Sequence, residues 1–89
     1  VRADGIVILT GGAERVDAGL RALQDNRAPR ALISGVHRDV TLPQLLALHR
    51  ADPALAERIE LGFGAIDTAG NARETADWAR THAVRRLII

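Results

Sequence analysis

The sequence contains no cysteine, no lysine, no methionine and no tyrosine, and only one phenylalanine and one tryptophan. Without cysteine, disulfides, thiol catalysis and thiolate metal sites are excluded within this span, and either redox compartment stays open. Without lysine, all twelve basic residues are arginine, a bias that GC-rich coding accounts for. They stand against eleven acidic residues, giving a formal net charge of +1, so there is no electrostatic case for nucleic acid. Two aromatic residues are too few for a base-stacking surface. No run reaches the roughly 18 apolar residues that a bilayer span requires, and no signal peptide is visible. The three histidines, His37, His49 and His82, are scattered without metal-ligand spacing, so no metal site is expected.

What is present is an alternation of short apolar runs and amphipathic stretches. Gly5 to Leu9 is an almost continuous apolar run, the pattern of a strand buried on both faces. Val16, Leu20 and Leu23 recur at i, i+4 and i+7, one face of a helix starting at Ala13. Asp25-Asn26 and Ala28-Pro29 stop it. Ala31 to Ser34 reads as a second strand ending at Gly35. Thr41 and Gln44 form a capping box, with Pro43 in the first turn of a helix carrying Leu42, Leu45, Leu46 and His49. Asp52-Pro53 starts a further short turn of helix, and Ile59-Glu60-Leu61 is a short, partly polar strand suited to a sheet edge. Thr68 or Asp67 caps a third helix, on which Ala69, Ala72, Ala76 and Ala79 form a small, tightly packing stripe. Arg85 to Ile89 begins a fourth strand.

The order βαβαβαβ predicts an α/β fold: a parallel sheet with helices on both faces, strand order 3-2-1-4, a Rossmann-like half. The 89 residues suffice for one small domain. With no initiating Met and an apolar strand at its far end, residues 1–89 are expected to be the N-terminal part of a single domain, cut at strand 4. Such sheets take ligands beyond the carboxyl ends of their strands, at the switch point between strands 1 and 4. The polar turns Thr10 to Arg15, Ser34 to Asp39 and Gly62 to Asn71 all fall at that edge.

Each turn carries candidate chemistry beside a plainer reading. Gly11-Gly12 lets backbone approach a ligand and offers amides at a helix start, or serves turn geometry alone. The turn is neither GxGxxG nor a P-loop, which disfavours a dinucleotide site. Arg15 suits a bidentate contact with phosphate or carboxylate, or is a solvated helix residue paired with Glu14 or Asp17. Ser34, His37 and Asp39 lie within six residues, yet there is no GxSxG elbow. Ser34 therefore reads as a ligand hydrogen-bonder or a turn-former. Thr68, Asn71 and Thr75 share a helix face. Asn71 is a mediocre helix former with both donor and acceptor. Glu74 suits a general base, a metal ligand or a solvated charge.

Four separated blocks together resemble a known family. They are Asp4-x-Ile-Val-Ile-Leu-x-Gly-Gly-x-x-Arg15, Gly19-Leu20, Ala28-Pro29-x-x-Leu32-Ile33-Ser34-Gly35, and Asp67-Thr68-x-x-Asn71-Ala72-x-Glu74-Thr75. Over nearly the whole chain this resembles the YdcF/SanA/ElyC family of bacterial envelope-linked domains. The resemblance implies a Rossmann-like domain, often behind an N-terminal membrane segment outside this span. It implies a place in the bacterial cell envelope, anchored in the inner membrane, with a cytoplasmic location as the alternative. The matching site positions are Gly11, Gly12, Arg15, Ser34, Gly35, Thr68, Asn71 and Glu74. Thr10 and Val36 depart from the family, which commonly has glycine at both, and the family's His-bearing block falls beyond Ile89.

The expectation is a domain binding a small anionic ligand of phosphate, nucleotide or S-adenosylmethionine type, and no nucleic acid. As an enzyme it would hydrolyse or transfer a phosphoryl group, with Glu74 as acid/base; the resemblance implies the family's distant His as the other candidate and a place in peptidoglycan or lipid-carrier metabolism. The alternatives are a non-catalytic S-adenosylmethionine-binding protein and a scaffold of envelope homeostasis. The sequence names no cofactor.

Overall fold

Strand β1 (Gly5–Leu9) is buried along Gly5 to Ile8, and its alternating side chains supply both faces of the sheet. The computed structural model of the chain describes residues 3–10, 12–64 and 67–88. The loop positions Ala65 and Ile66, and Ile89 in the fourth run, lie outside them.

Helix α1 (Ala13–Gln24) follows β1 and buries Val16, Leu20 and Leu23 against it. Each such side chain contributes about 1.5–3 kcal/mol when taken out of water. The helix ends where Asn26 turns into the left-handed region at φ 58°, a conformation Asn tolerates better than most residues. Strand β2 (Ala31–Ser34) is buried at all four positions. Helix α2 (Leu42–Leu48) is opened by the reciprocal pair at Thr41 and Gln44 and buries Leu46, while His49 serves as its C-cap. A 3₁₀ helix, Pro53–Arg58, is capped by the Asp52 carboxylate, which accepts from the Ala54 amide at 2.9 Å. Strand β3 (Ile59–Leu61), helix α3 (Thr68–Thr81) and strand β4 (Leu87–Ile88) complete the described elements.

β1, β2 and β3 form a parallel three-strand sheet, with Ile6 to Leu9 in register with Ala31 to Ser34. The two residues of β4 lie parallel to β1 on its other side, so the hydrogen-bonded order is β3-β2-β1-β4. β3 has an exposed Glu60 at its centre and a free edge, which suits its polarity.

The two faces carry unequal cores. Ile6, Ile8, Ala31 and Ile33 pack with α1, Leu46 of α2 and Leu55 of the 3₁₀ helix. On the opposite face Val7 and Leu32 pack with Trp78 of α3, flanked by Leu9 and Val84. Ser34 follows Leu32 by two residues and so faces α3 as well. Arg30, just before β2, and Glu60, from the middle of β3, hold His82 between them: Arg30 donates to Nδ1, and Nε2–H donates to Glu60 at 2.7 Å. That arrangement fixes a single tautomer of the ring.

One expectation is corrected here. The alanine stripe of α3 does not pack tightly: Ala69, Ala72 and Ala76 are exposed and Ala79 is half-buried. The large Trp78 ring makes the contact with the sheet instead. Beside it Ala72, Ala76 and Ala79 border an open groove of about 410 Å³ over Val7, Leu9 and Leu87.

Candidate functional site

Three turns leave the carboxyl ends of β1, β2 and β3, and hydrogen bonds join them into one edge. The Thr10 hydroxyl, after β1, donates to the Gly35 carbonyl, after β2, at 2.9 Å. The Val36 amide donates to the Gly62 carbonyl at 2.8 Å, tying the turn after β2 to the turn after β3. Gly35 adopts φ 78°, which admits glycine without strain and turns the chain sharply away from the sheet.

Glu74 is the hub of this edge. Its Oε1 accepts from the Ser34 hydroxyl at 2.6 Å and from the Gly35 amide at 3.1 Å. Its Oε2 accepts from the Gly64 amide at 2.9 Å. One side chain of α3 thus secures the turns after both β2 and β3. Ser34, fully buried, also lies 2.8 Å from the Asn71 side-chain amide. A hydroxyl carries one proton. The carboxylate, nearer and the stronger acceptor, takes it. Asn71 then completes the pair as donor, since the two ends of an amide have the same shape and are interchangeable in the network. Gly62 makes room for the hub, because a Cβ there would collide with the Glu74 carboxylate.

The candidate residues divide on this geometry. Ser34, Gly35, Asn71 and Glu74 come together in one network. Gly12 is the N-cap of α1, and among the described residues no side chain caps that helix. Gly12 has extended backbone, and a Cβ there would meet open space, so no close approach of protein atoms demands glycine. Arg15 is exposed in the first turns of α1 and makes no ion pair or hydrogen bond through its side chain among the described residues. Gly11 lies outside the described residues, as does the side chain of Thr68.

The two helix starts differ in what they offer an anion. Of the two capping candidates on α3, Asp67 is the N-cap, and its carboxylate accepts from the Gly70 amide at 2.7 Å. A negative charge already occupies that terminus. The start of α1 has no side-chain cap among the described residues, although Glu14 places an acidic residue in its first turn; its uncapped amides and dipole suit an incoming anion.

Two contributions were not legible in the local sequence. Gly62 and Gly64 act through Glu74, ten or more residues away, and only a Gly-x-Gly after a strand hints at them. Phe63, between them, is 42% exposed beside the same edge. Among the described residues no three His, Asp or Glu side chains gather as a metal-ligand set. Among them, too, no helix is long and apolar enough to cross a membrane. Comparison with known proteins gives no match: no family model, no curated protein and no solved structure aligns with the chain.

Proposed function

We propose that this chain is a Rossmann-like domain that binds a phosphorylated or nucleotide-like anion at the carboxyl edge of its sheet. The observation that carries the reading is the joined edge itself. Three strand-end turns are locked together by Thr10, Ser34 and Glu74, beside a helix start that no described side chain caps. A site held this firmly is ordered before a ligand arrives, which lowers the entropy cost of binding. The α1 amides would meet the anion, Arg15 would neutralise it, and Asn71 would orient it.

The hub argues for binding ahead of chemistry at Glu74. Three of the roughly four lone-pair positions of its carboxylate are engaged. Taking a proton from a substrate would break the bonds that hold two turns in place. In this reading Glu74 organises the edge and is not the acid/base of a phosphoryl transfer. That favours the non-catalytic alternative for this span. The envelope setting, with inner-membrane anchoring outside these residues, rests on the resemblance to the YdcF/SanA/ElyC family.

The test is thermal stabilisation of the chain by inorganic phosphate, pyrophosphate and S-adenosylmethionine. A ligand at about 100 times its Kd adds about 2.7 kcal/mol to the stability, a readily measured rise in melting temperature. Stabilisation by an anion, reduced in Arg15→Ala, is the expected result. No response to any anion at millimolar concentration would overturn the reading.

A further inference from the structure

The only phenylalanine of the chain stands in an unusual place. Phe63 is 42% exposed, although burying a Phe side chain is worth about 1.5–3 kcal/mol. It lines a cleft of about 600 Å³ between the turns after β2 and β3, within the size range of small-molecule sites. Gly35 and Gly64 form part of its lining.

His37, Arg38 and Asp39, all exposed, line the same cleft. Arg38 makes no side-chain hydrogen bond or ion pair among the described residues. The His37 Nδ1 accepts from the Asp39 amide at 3.2 Å, which leaves Nε2 to carry the proton of the neutral ring. One cleft is thus lined by two donor-bearing side chains, the Arg38 guanidinium and the His37 imidazole, and by the Phe63 ring. The Asp39 carboxylate adds one acceptor, 3.6 Å from His37 Nδ1.

We infer that this cleft binds a planar aromatic ring bearing an anionic group, as in a free nucleoside monophosphate. The ring stacks on Phe63. The phosphate is received by Arg38 and His37. A hydroxyl or amine donor of the ligand meets Asp39. A single exposed ring suffices for one base, whereas a nucleic-acid strand needs a row of them. The inference goes beyond the anion-binding reading above: it places a second anion receiver, Arg38 with His37, on the same edge of the sheet and apart from the start of α1.

The experiment is calorimetric titration of the chain with adenosine monophosphate, adenosine and ribose 5-phosphate, with pyrophosphate as the ring-free anion. Phe63→Ala, Arg38→Gln and Arg15→Ala are titrated alongside. All three substituted positions are exposed, so unchanged melting temperatures serve as the control for folding. The nucleotide is expected to bind at least about tenfold more tightly than either half-ligand, the scale of one stacked base. Phe63→Ala weakens the nucleotide and adenosine about tenfold and leaves ribose 5-phosphate unchanged. Arg38→Gln weakens the nucleotide and ribose 5-phosphate and leaves adenosine unchanged. Nucleotide affinity unaltered by both changes overturns the inference. Pyrophosphate binding that is lost in Arg15→Ala but intact in Phe63→Ala, with no preference for the nucleotide, also overturns it while the anion-binding reading survives. Failure of every ligand to bind overturns both.

Discussion

The Ser34 hydroxyl and the Glu74 carboxylate meet at 2.6 Å, and the serine is wholly buried at the end of β2. The same carboxylate receives the Gly35 and Gly64 amides. A buried donor stripped of its acceptor costs about 1–3 kcal/mol, so the hub has a large effect when removed. Glu74→Ala is expected to destabilise the chain by about 2–4 kcal/mol. Glu74→Gln keeps one acceptor oxygen and should lose about half as much. Urea unfolding followed by Trp78 fluorescence checks both, because Trp78 is the only tryptophan. Equal stability of Glu74→Ala and the parent chain would show that the hub holds nothing.

Gly62→Ala tests the same hub from its other side. The added methyl would collide with the Glu74 carboxylate and push it off its partners. Two changes that break one network are less than additive. Gly62→Ala and Glu74→Ala should therefore cost less together than the sum of their separate effects, by about 1 kcal/mol or more. Full additivity in a double-mutant cycle would mean that Gly62 matters for some other reason.

How much of this was legible follows the range of each interaction. α1 could be read because Val16, Leu20 and Leu23 repeat within two turns, and α2 because Thr41 and Gln44 cap it locally. The parallel β1–β2 and β2–β3 pairing was implied by the alternation of strands and helices. Ser34, Gly35, Asn71 and Glu74 are each candidates from local sequence, but their union spans about 40 residues, which no local pattern encodes. The alanine stripe misled because small residues suit close packing only when no larger neighbour reaches the sheet first, and Trp78 does. Asp67 and Thr68 were equivalent capping candidates by composition; the Gly70 amide decided for Asp67.

Asp4 gives the chain an acid-sensitive link at the opposite end of the sheet. Its carboxylate accepts from the Arg85 and Arg86 amides, both at 3.1 Å, and so fastens the approach to β4 beside β1. These bonds, the Arg85 amide first, hold the Asp4 carboxyl below its ordinary pKa. In acid the folded chain then binds fewer protons here than the unfolded chain does. The contribution is complete above the unfolded value, about pH 4, and disappears as the pH falls through the lower folded value. Asp4→Asn keeps an acceptor oxygen and removes the charge. It is expected to be less stable than the parent chain at pH 7 and to converge with it as the pH falls through the lowered folded value. Unfolding curves across that range check the sign; a gap that widens in acid would reverse the assignment.

Trp78 separates packing from hydrogen bonding. The side chain is 5% exposed and carries the smaller core on the α3 face, yet its Nε1–H has no partner among the described residues. Trp78→Ala removes most of that contact with Val7 and Leu32 and should cost about 3–5 kcal/mol. Trp78→Phe gives up part of the ring but forfeits no hydrogen bond, and it relieves a buried donor of its unpaired state. Its cost should stay below about 2 kcal/mol. Circular dichroism is the measurement, since both variants lose the fluorophore. If Trp78→Phe were as damaging as Trp78→Ala, the indole nitrogen would have to hold a partner, such as an ordered water, that makes this face depend on polar contact as well as apolar burial.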